Sequence, residues 1–264
     1  QTSELIERAE QAARADIPPL PASLWLECKR TGRREGYEEP CYRRRLMLRD
    51  LAIGECLEAR GRFLDPLQDV IWAVCEESSW VYPAHHPDLP DVENPYIDLG
   101  AASTGFDLAA ADGLLGCALS DLVRRRIRRE AEHRLFAPYL ARDDFWWLAP
   151  APGRPVNNWT AVCSAGVMAS ALYLEPNPAR LAAILAKGIG SLEHYLDTFD
   201  EDGGTSEGPG YWAYGFGYFT RIAQILDQRT GGRLRLLEGA RMREIAAFPL
   251  RTMLSPGLYV NFSD

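Results

Sequence analysis

The sequence predicts an all-α fold in which helical hairpins form an α/α toroid. Apolar residues recur with helical spacing through most of the 264 residues, and only the tail, residues 258–262, has a strand-like pattern. The predicted helices alternate between charge-poor segments rich in small and aromatic residues and charged amphipathic segments. Inner and outer rings of helices would produce this alternation, because only the outer ring meets solvent. A generic helical bundle is the alternative.

Composition limits the class of protein. Hydrophobic residues make up 47% and charged residues 25% of the chain, which is ordinary for a globular domain, and we expect one domain over residues 1–264. The net charge of −8 argues against nucleic-acid binding. The sequence has neither a run long enough to span a membrane nor a signal peptide at residues 1–15. We expect a cytoplasmic protein, or a periplasmic or secreted one if a signal peptide has been removed.

The cysteine pattern indicates free thiols rather than a metal site. No C-x-x-C pair is present, so the sequence lacks the ligand spacing of a zinc site, and we expect no metal or cofactor. Three disulfides would be the alternative in an exported protein. The six cysteines are Cys28, Cys41, Cys56, Cys75, Cys117 and Cys163.

Four helices are predicted in the N-terminal part. Ser3 is a candidate N-cap, Pro18, Pro19 and Pro21 end the first helix, and Gly61 closes the third. The four predicted helices span residues 3–15, 22–31, 40–60 and 66–78.

Two long loops separate the later helices. The first, Trp80 to Asp98, is long enough to suggest a function. The second, residues 141–156, contains Phe145, Trp146 and Trp147, which would either stack on sugars or fill a gap between helices. The later helices are predicted at residues 99–119, 121–138, 158–174, 178–198, 210–230 and 237–253.

The stretch from Asp202 to Phe219 begins as a loop with four glycines and a proline and continues as an aromatic helix. Phenols in line suit the wall of a sugar-binding cleft, because each offers a flat apolar face and a polar tip. An amphipathic helix packed on both sides is the alternative. Tyr211, Tyr214 and Tyr218 fall on one helical face, and Trp212, Phe216 and Phe219 fall on the opposite one.

Two stretches resemble the heparinase II/III family of polysaccharide lyases. They are Asn157-Asn158-Trp159-x-x-Val-Cys-x-x-Gly and Asp202-Gly-Gly-x-x-Glu-Gly-Pro-Gly-Tyr-x-x-Tyr-Gly. The run Cys75-Glu-Glu-x-x-Trp-x-x-Pro-Ala-His, the stretch Ile97-Asp-Leu and the tail Val260–Asp264 are similar to that family more weakly, and the resemblance covers most of the chain from about residue 40. It implies an incomplete α/α toroid followed by β-sandwich domains. This chain stops before any sandwich, so we expect a domain truncated at its C-terminal end.

The resemblance implies β-elimination on polysaccharides that contain uronic acid. An asparagine of N-N-W, Asn157 or Asn158, would neutralise the carboxylate beside C5, and Tyr211 would transfer a proton. Tyr211 follows the two asparagines by 54 and 53 residues, and Tyr214 is the alternative tyrosine. Arg154 is a candidate cation to lower the pKa of the catalytic tyrosine. We expect further substrate contacts from Tyr214, Trp159, Glu207, Arg154, His85 and His86.

Two departures from the family pattern affect these expectations. Trp159 stands where many members have a histidine, and the family's other catalytic histidine lies in the part after residue 264. We therefore expect this chain alone to bind acidic oligosaccharides and to turn them over poorly. His85 or His86 would take part or be solvated loop residues, whereas His133 and His194 are expected on the surface. Glu207 would contact substrate or cap a helix.

Two other functions remain open from the sequence. One is a carbohydrate-binding toroid without catalysis. The other is a glycoside hydrolase with Asp202 and Glu207 as its two carboxylates. Ultraviolet absorbance separates them from a lyase, because only elimination forms an unsaturated uronate.

Overall fold

A computed structural model of the protein describes residues 2–86, 88–149 and 156–263. Over these residues the protein is 67% helical with one two-stranded hairpin, which confirms the predicted all-α class. A short 3₁₀ turn covers Gly116–Ala118 and a π-helical turn covers Glu132–Phe136. The α-helices are α1 Thr2–Arg14, α2 Ala22–Thr31, α3 Glu35–Glu58, α4 Leu64–Glu76, α5 Leu99–Leu115, α6 Asp121–Ala131, α7 Ala137–Ala141, α8 Asn158–Leu174, α9 Pro178–Leu196, α10 Gly208–Arg229 and α11 Ala240–Thr252. The strands are β1 Met253–Ser255 and β2 Leu258–Tyr259, which pair antiparallel.

The helices belong to two compact units. Unit 1 comprises Gln1–Ala141 and Ser170–Pro176, and unit 2 comprises Arg142–Ala169 and Asn177–Asp264. Among the described helices, none combines the length and apolarity that a bilayer-spanning segment requires.

In unit 1, α3 is the central helix and packs against α1, α4 and α5. Gly54 of α3 permits the closest approach, because a Cβ there would lie 2.4 Å from the Cβ of Ala9 in α1. A full side chain at position 54 would push the two helices apart. The sequence therefore places its smallest residues where α1 and α3 cross.

In unit 2, α9 packs against α8 at Gly188, where a Cβ would lie 2.2 Å from the sulfur of Met168. The buried rings of Phe145 and Trp147 stack with their centroids 5.3 Å apart. Thr160 of α8 donates its hydroxyl to the Trp147 carbonyl at 2.7 Å. Phe145 and Trp147 are therefore core residues, which agrees with the alternative that they fill a gap between helices rather than stack on sugars.

Three predicted boundaries differ from the structure. Ser3 lies in the first turn of α1 and not at its N-cap, because the helix already begins at Thr2. Helix α3 starts before residue 40 and contains Pro40, because Tyr37 and Cys41 continue its buried face towards the N-terminus. The helix predicted over 121–138 widens into the π-helical turn just before Pro138, whose ring would otherwise crowd the carbonyl four residues earlier.

The tail prediction is confirmed only in part. Strand β2 covers Leu258–Tyr259 of the predicted 258–262, and its partner β1 begins at Met253, which was predicted to be helical.

A buried ion pair joins α3 to the residue that follows α4. Arg45 donates two hydrogen bonds of 2.6 Å to the two carboxylate oxygens of Glu77, and Arg44 adds a third of 3.0 Å. Both side chains of the Arg45–Glu77 pair are at most 4% exposed. Removing one member of such a pair leaves an uncompensated charge in a medium of low dielectric constant.

We expect Glu77→Gln to lower the free energy of unfolding by about 3–5 kcal/mol, because both arginines lose their counter-charge. The matched control is Glu238→Gln, since the Arg235–Glu238 pair is more than half exposed and should contribute little. Urea denaturation of both variants measures the difference. Equal losses of unfolding free energy in the two variants would contradict the stabilising role of the buried Arg45–Glu77 pair.

All six cysteines are free thiols in the structure. Burial is the main cause that raises the pKa of Cys41 and of Cys75 to about 12, so neither forms a thiolate readily near neutral pH. Cys56 and Cys117 are exposed, Cys28 is half-buried, and Cys41, Cys75 and Cys163 are buried.

We expect thiol labelling of the native protein to begin at Cys117 and to continue at Cys56. Cys56 should react second, because partial burial and the charge of Glu55 raise the pKa of its thiol. The three buried thiols should react only after denaturation. A timed reaction with a chromogenic thiol reagent, followed by mass spectrometry of the labelled peptides, gives the order. Fewer than six reactive thiols in denatured, non-reduced protein would contradict the finding that all six cysteines are free.

Candidate active site

A hydrogen-bonded pair in unit 2 connects the starts of α8 and α10. The carboxylate of Glu207, just before α10, accepts the backbone N–H of Asn158 at 2.9 Å. Its other oxygen accepts the side-chain Nδ2–H of Asn158 at 2.6 Å. Asn158 is the first residue of α8 and is only 3% exposed. The N-N-W and E-G-P-G stretches, predicted to act together, therefore meet in the structure.

Two glycines with left-handed backbone place Glu207 in this position. Gly203 has a φ of 79°, and a Cβ on it would lie 2.2 Å from the Glu244 carbonyl oxygen of α11. Gly208 has a φ of 86°, and a Cβ on it would lie 2.2 Å from the Phe262 carbonyl oxygen in the tail. Any other residue at either position would be strained and would displace backbone. The glycines of this stretch thus serve tight packing of the loop.

A third glycine brings Asn158 against α10. A Cβ on Gly215 would lie 3.0 Å from the Cβ of Asn158 and 2.6 Å from the Tyr195 hydroxyl oxygen. The first turn of α8, the middle of α10 and the end of α9 therefore converge at this point.

Tyr195 is a member of this cluster that the sequence did not reveal. Its side chain is only 1% exposed, and burial, together with the nearby charge of Glu207, raises the pKa of its phenol above the usual range. Tyr195 thus remains protonated and can serve only as a hydrogen-bond donor or acceptor. In the sequence it looks like any aromatic residue on the apolar face of α9.

The tyrosine face of α10 lies beside the same contact. Tyr211 precedes Gly215 by four residues and so shares its helical face. Tyr211, Tyr214 and Tyr218 are each half-buried, and the rings of the last two meet edge to face at 5.4 Å.

The opposite face of α10 is packed. Phe216 and Phe219 are buried, and their rings stack at 5.6 Å. The ring of Trp212 lies 5.2 Å from that of Phe216. The amphipathic division predicted for this helix is therefore present.

The structure separates the two asparagines by role. The side-chain oxygen of Asn157 accepts the N–H of Trp159 at 3.0 Å, which caps the first turn of α8. Asn158 instead donates its backbone N–H and one side-chain N–H to Glu207. Its side-chain oxygen is buried and has no hydrogen-bond partner within the described residues. Asn158 is therefore buried and held by Glu207 with its side-chain oxygen unsatisfied, whereas Asn157 is half-buried and uses its side-chain oxygen as a cap.

The remaining predicted residues fall in several places. The half-buried rings of Trp159 and Trp146 pack together with centroids 4.9 Å apart. Asp202 accepts the N–H of Gly204 at 2.9 Å within its own turn. Arg154 lies outside the described residues.

The four histidines divide as expected between loop and surface. His85 and His86 belong to the loop of unit 1, where Nδ1 of His85 lies 2.6 Å from the Asp98 carboxylate. His133 and His194 are both exposed. Within the described parts of the chain, no three histidine, cysteine or acidic side chains are grouped as a metal site would require.

The site is an anchored amide, a carboxylate and the Tyr195 phenol at the junction of three helices, with Tyr211 one helical turn before Gly215 on α10. Such a set can bind a polar ligand and transfer a proton. Comparison of the chain with protein-family models finds no match, and comparison with curated protein sequences finds none either.

We expect Gly215→Ala to destabilise the protein by about 1–3 kcal/mol, because the added methyl group would overlap Tyr195 and Asn158. Gly217→Ala, two residues further along α10, is the control. A Cβ there meets no atom within 4 Å, and alanine should stabilise the helix by up to about 1 kcal/mol. Denaturant titration of both variants measures the effects, and the same sign for both would be inconsistent with this junction.

Proposed function

We propose that the protein is a lyase that cleaves saccharides containing uronic acid by β-elimination, with Asn158, Glu207 and Tyr211 at its site. The observation that carries this proposal is the pair of hydrogen bonds from Asn158 to Glu207. It joins the two stretches whose sequence resembles the heparinase II/III lyases. The proposal includes the incomplete α/α toroid of that family, which the helical content supports.

Asn158 provides the group that binds the uronate carboxylate. Its Nδ2 carries two hydrogens, and Glu207 accepts one of them. The second can donate to the substrate carboxylate and stabilise the negative charge that develops when the C5 proton leaves.

Glu207 is the positioning residue in this scheme. One of its oxygens accepts the backbone N–H of Asn158 and the other accepts the side-chain amide, so the amide requires little reorganisation when the transition state forms. The interpretation of Glu207 as a hydrolase carboxylate has less support, because its intended partner Asp202 is occupied in a turn.

Tyr211 is the proposed proton-transfer residue. In the elimination, the ionised Tyr211 takes the C5 proton, the C5–H electron pair forms the C4–C5 double bond, the C4–O4 bond breaks with its electron pair on O4, and O4 takes a proton from water. Tyr195, which lies at the contact between Asn158 and Gly215, is unsuited to act as a base because burial raises its pKa. Tyr211 is half-buried, so solvent and substrate can reach it.

A saccharide-binding protein without catalysis is the second candidate. The observation in its favour is the half-buried Trp146–Trp159 pair, whose accessible part offers an aromatic surface for a sugar ring. Trp159 also stands where many heparinase II/III lyases have a histidine, so this position offers an aromatic ring in place of a proton-transfer group.

We expect the protein to bind oligosaccharides of uronic acids and, with protein in excess, to raise the ultraviolet absorbance of at least one of them. The panel should include heparan sulfate, alginate and hyaluronan. Tyr211→Phe should lower the elimination rate by about 10²- to 10⁴-fold, because the ring remains and only the proton-transfer group is lost. Calorimetry should find its affinity nearly unchanged.

Tyr214→Phe is the matched control on the same face of α10, and its rate should stay close to that of the unaltered protein. If Tyr214→Phe abolishes elimination and Tyr211→Phe does not, the role belongs to Tyr214. Binding without any rise in absorbance across the panel would favour the second candidate.

A further inference from the structure

Unit 1 contains a small cavity that is separate from the candidate active site of unit 2. Its volume is about 170 Å³. A single water molecule needs only about 10–15 Å³, so the cavity has room for a small organic molecule. Its walls come from residues 78–80, residues 91–96, the start of α5, the end of α6 and the π-helical turn that follows α6.

Arg134 of the π-helical turn lines this cavity, and its side chain is only 11% exposed. Its Nε donates to the Glu130 carboxylate at 2.8 Å. Its Nη2 donates to the backbone carbonyls of Cys75 and Glu77 at 3.2 and 2.6 Å. The guanidinium also lies over the Trp80 ring, 4.7 Å from the ring centroid. These contacts use three of the five N–H groups of the side chain and fix its position.

The two remaining N–H groups of Arg134 belong to Nη1. This atom is buried and has no hydrogen-bond partner within the described residues. A buried charged donor without an acceptor costs free energy, so folded proteins supply one from the chain, from water or from a ligand. Short π-helical turns are also frequent at functional sites. Nη1 is therefore the atom through which Arg134 can bind an acceptor in the cavity.

The charges around the cavity favour a ligand with one negative charge. Glu130 accepts hydrogen bonds of 2.8 Å from both Arg126 and Arg134, so two arginines share one carboxylate and one positive charge is left over. The other titratable side chains at the wall, Asp91 and His133, are exposed and therefore screened by solvent. A carboxylate balances the remaining charge, whereas a phosphate dianion would exceed it.

Apolar groups complete the wall. Trp80 and Ala101 are buried, and Val92 lies at the exposed rim. Nε2 of His133 lies 2.9 Å from the Val92 carbonyl, which joins the loop at the rim to the π-helical turn. An apolar lining with a few fixed polar groups is typical of small-molecule sites. The cavity therefore suits a carboxylate attached to a small apolar body.

We propose that this cavity binds a small organic carboxylate, whose oxygen atoms accept hydrogen bonds from Nη1 of Arg134. Glu130 is the positioning residue, because it holds Nε of the same guanidinium. The site concerns unit 1 alone and does not rest on the elimination chemistry proposed for unit 2.

The test is calorimetric titration of the whole chain with propionate, butyrate and benzoate, in a buffer of low ionic strength without carboxylate or phosphate. At least one carboxylate should bind with one molecule per chain. Its neutral amide analogue should bind about 10-fold more weakly or less tightly still, because only the carboxylate forms a charge-assisted hydrogen bond with Arg134. Inorganic phosphate should also bind more weakly.

Two results of this titration would overturn the proposal. Absence of binding by all three carboxylates at millimolar concentrations would indicate that water alone satisfies Nη1 of Arg134. Tighter binding of phosphate than of every carboxylate would show that the ligand class is wrong.

Arg134→Lys and its matched control Arg126→Lys locate the bound carboxylate. Both variants keep the positive charge, and both replace an arginine that bonds to Glu130 and to the Cys75 carbonyl. Only Arg134 lines the cavity. Arg134→Lys should weaken carboxylate binding by about 10-fold or more, whereas Arg126→Lys should leave it nearly unchanged. Equal weakening in the two variants would overturn the role of Arg134.

Val92→Glu and Val92→Gln form a second pair that leaves Arg134 in place and decides the matter if Arg134→Lys does not fold. Val92 is 47% exposed, so thermal denaturation should show that both variants fold normally. The added negative charge of Val92→Glu should weaken carboxylate binding several-fold at low salt and less at high salt. Equal affinity of the two variants at low salt would place the carboxylate outside this cavity.

Discussion

A carboxylate that accepts backbone N–H groups beside the start of a helix recurs in both units, and the candidate active site depends on one of them. A backbone N–H withdrawn from water costs free energy unless an acceptor meets it, and an ionised carboxylate is the strongest acceptor a side chain offers. Glu207 meets the N–H of Asn158, and Asp98 meets those of Ala101 and Tyr82. A carboxylate has about four lone-pair positions, so each retains capacity for one more side chain. The carboxylate that satisfies a backbone N–H in the fold therefore also orients a neighbouring side chain.

Much of the fold could be predicted from local pattern. The spans of α2, α4 and α9 follow directly from apolar spacing and from the prolines and glycines around them. The division of α10 into a tyrosine face and a phenylalanine face follows from helical periodicity. Errors occurred where burial overrides local preference, as when α3 continues through Pro40 to keep Tyr37 in the core.

The candidate sites were predictable only in part, because their contacts join residues distant in sequence. Helical spacing could place Tyr211 on a face, but it could not assign Glu207 to an amide 49 residues earlier in the chain. It also could not distinguish His85 from His86, since only the packing of α5 brings Asp98 to one of them. The sequence does not reveal Tyr195, because its hydroxyl packs against Gly215. A glycine has no side chain, so the apolar periodicity of α10 does not indicate this contact.

The tail packs directly against the loop that carries Glu207, because the Phe262 carbonyl lies close to Gly208. The N–H of Val260 also bonds to the Thr252 carbonyl at 2.7 Å, which ties the tail to the end of α11. Proteolytic trimming or a fusion joint within residues 258–262 would therefore loosen the support of a carboxylate some fifty residues earlier in the chain. Preparations that differ only in this segment would differ in how firmly the Asn158 amide is oriented, although every residue of the cluster itself would be unchanged.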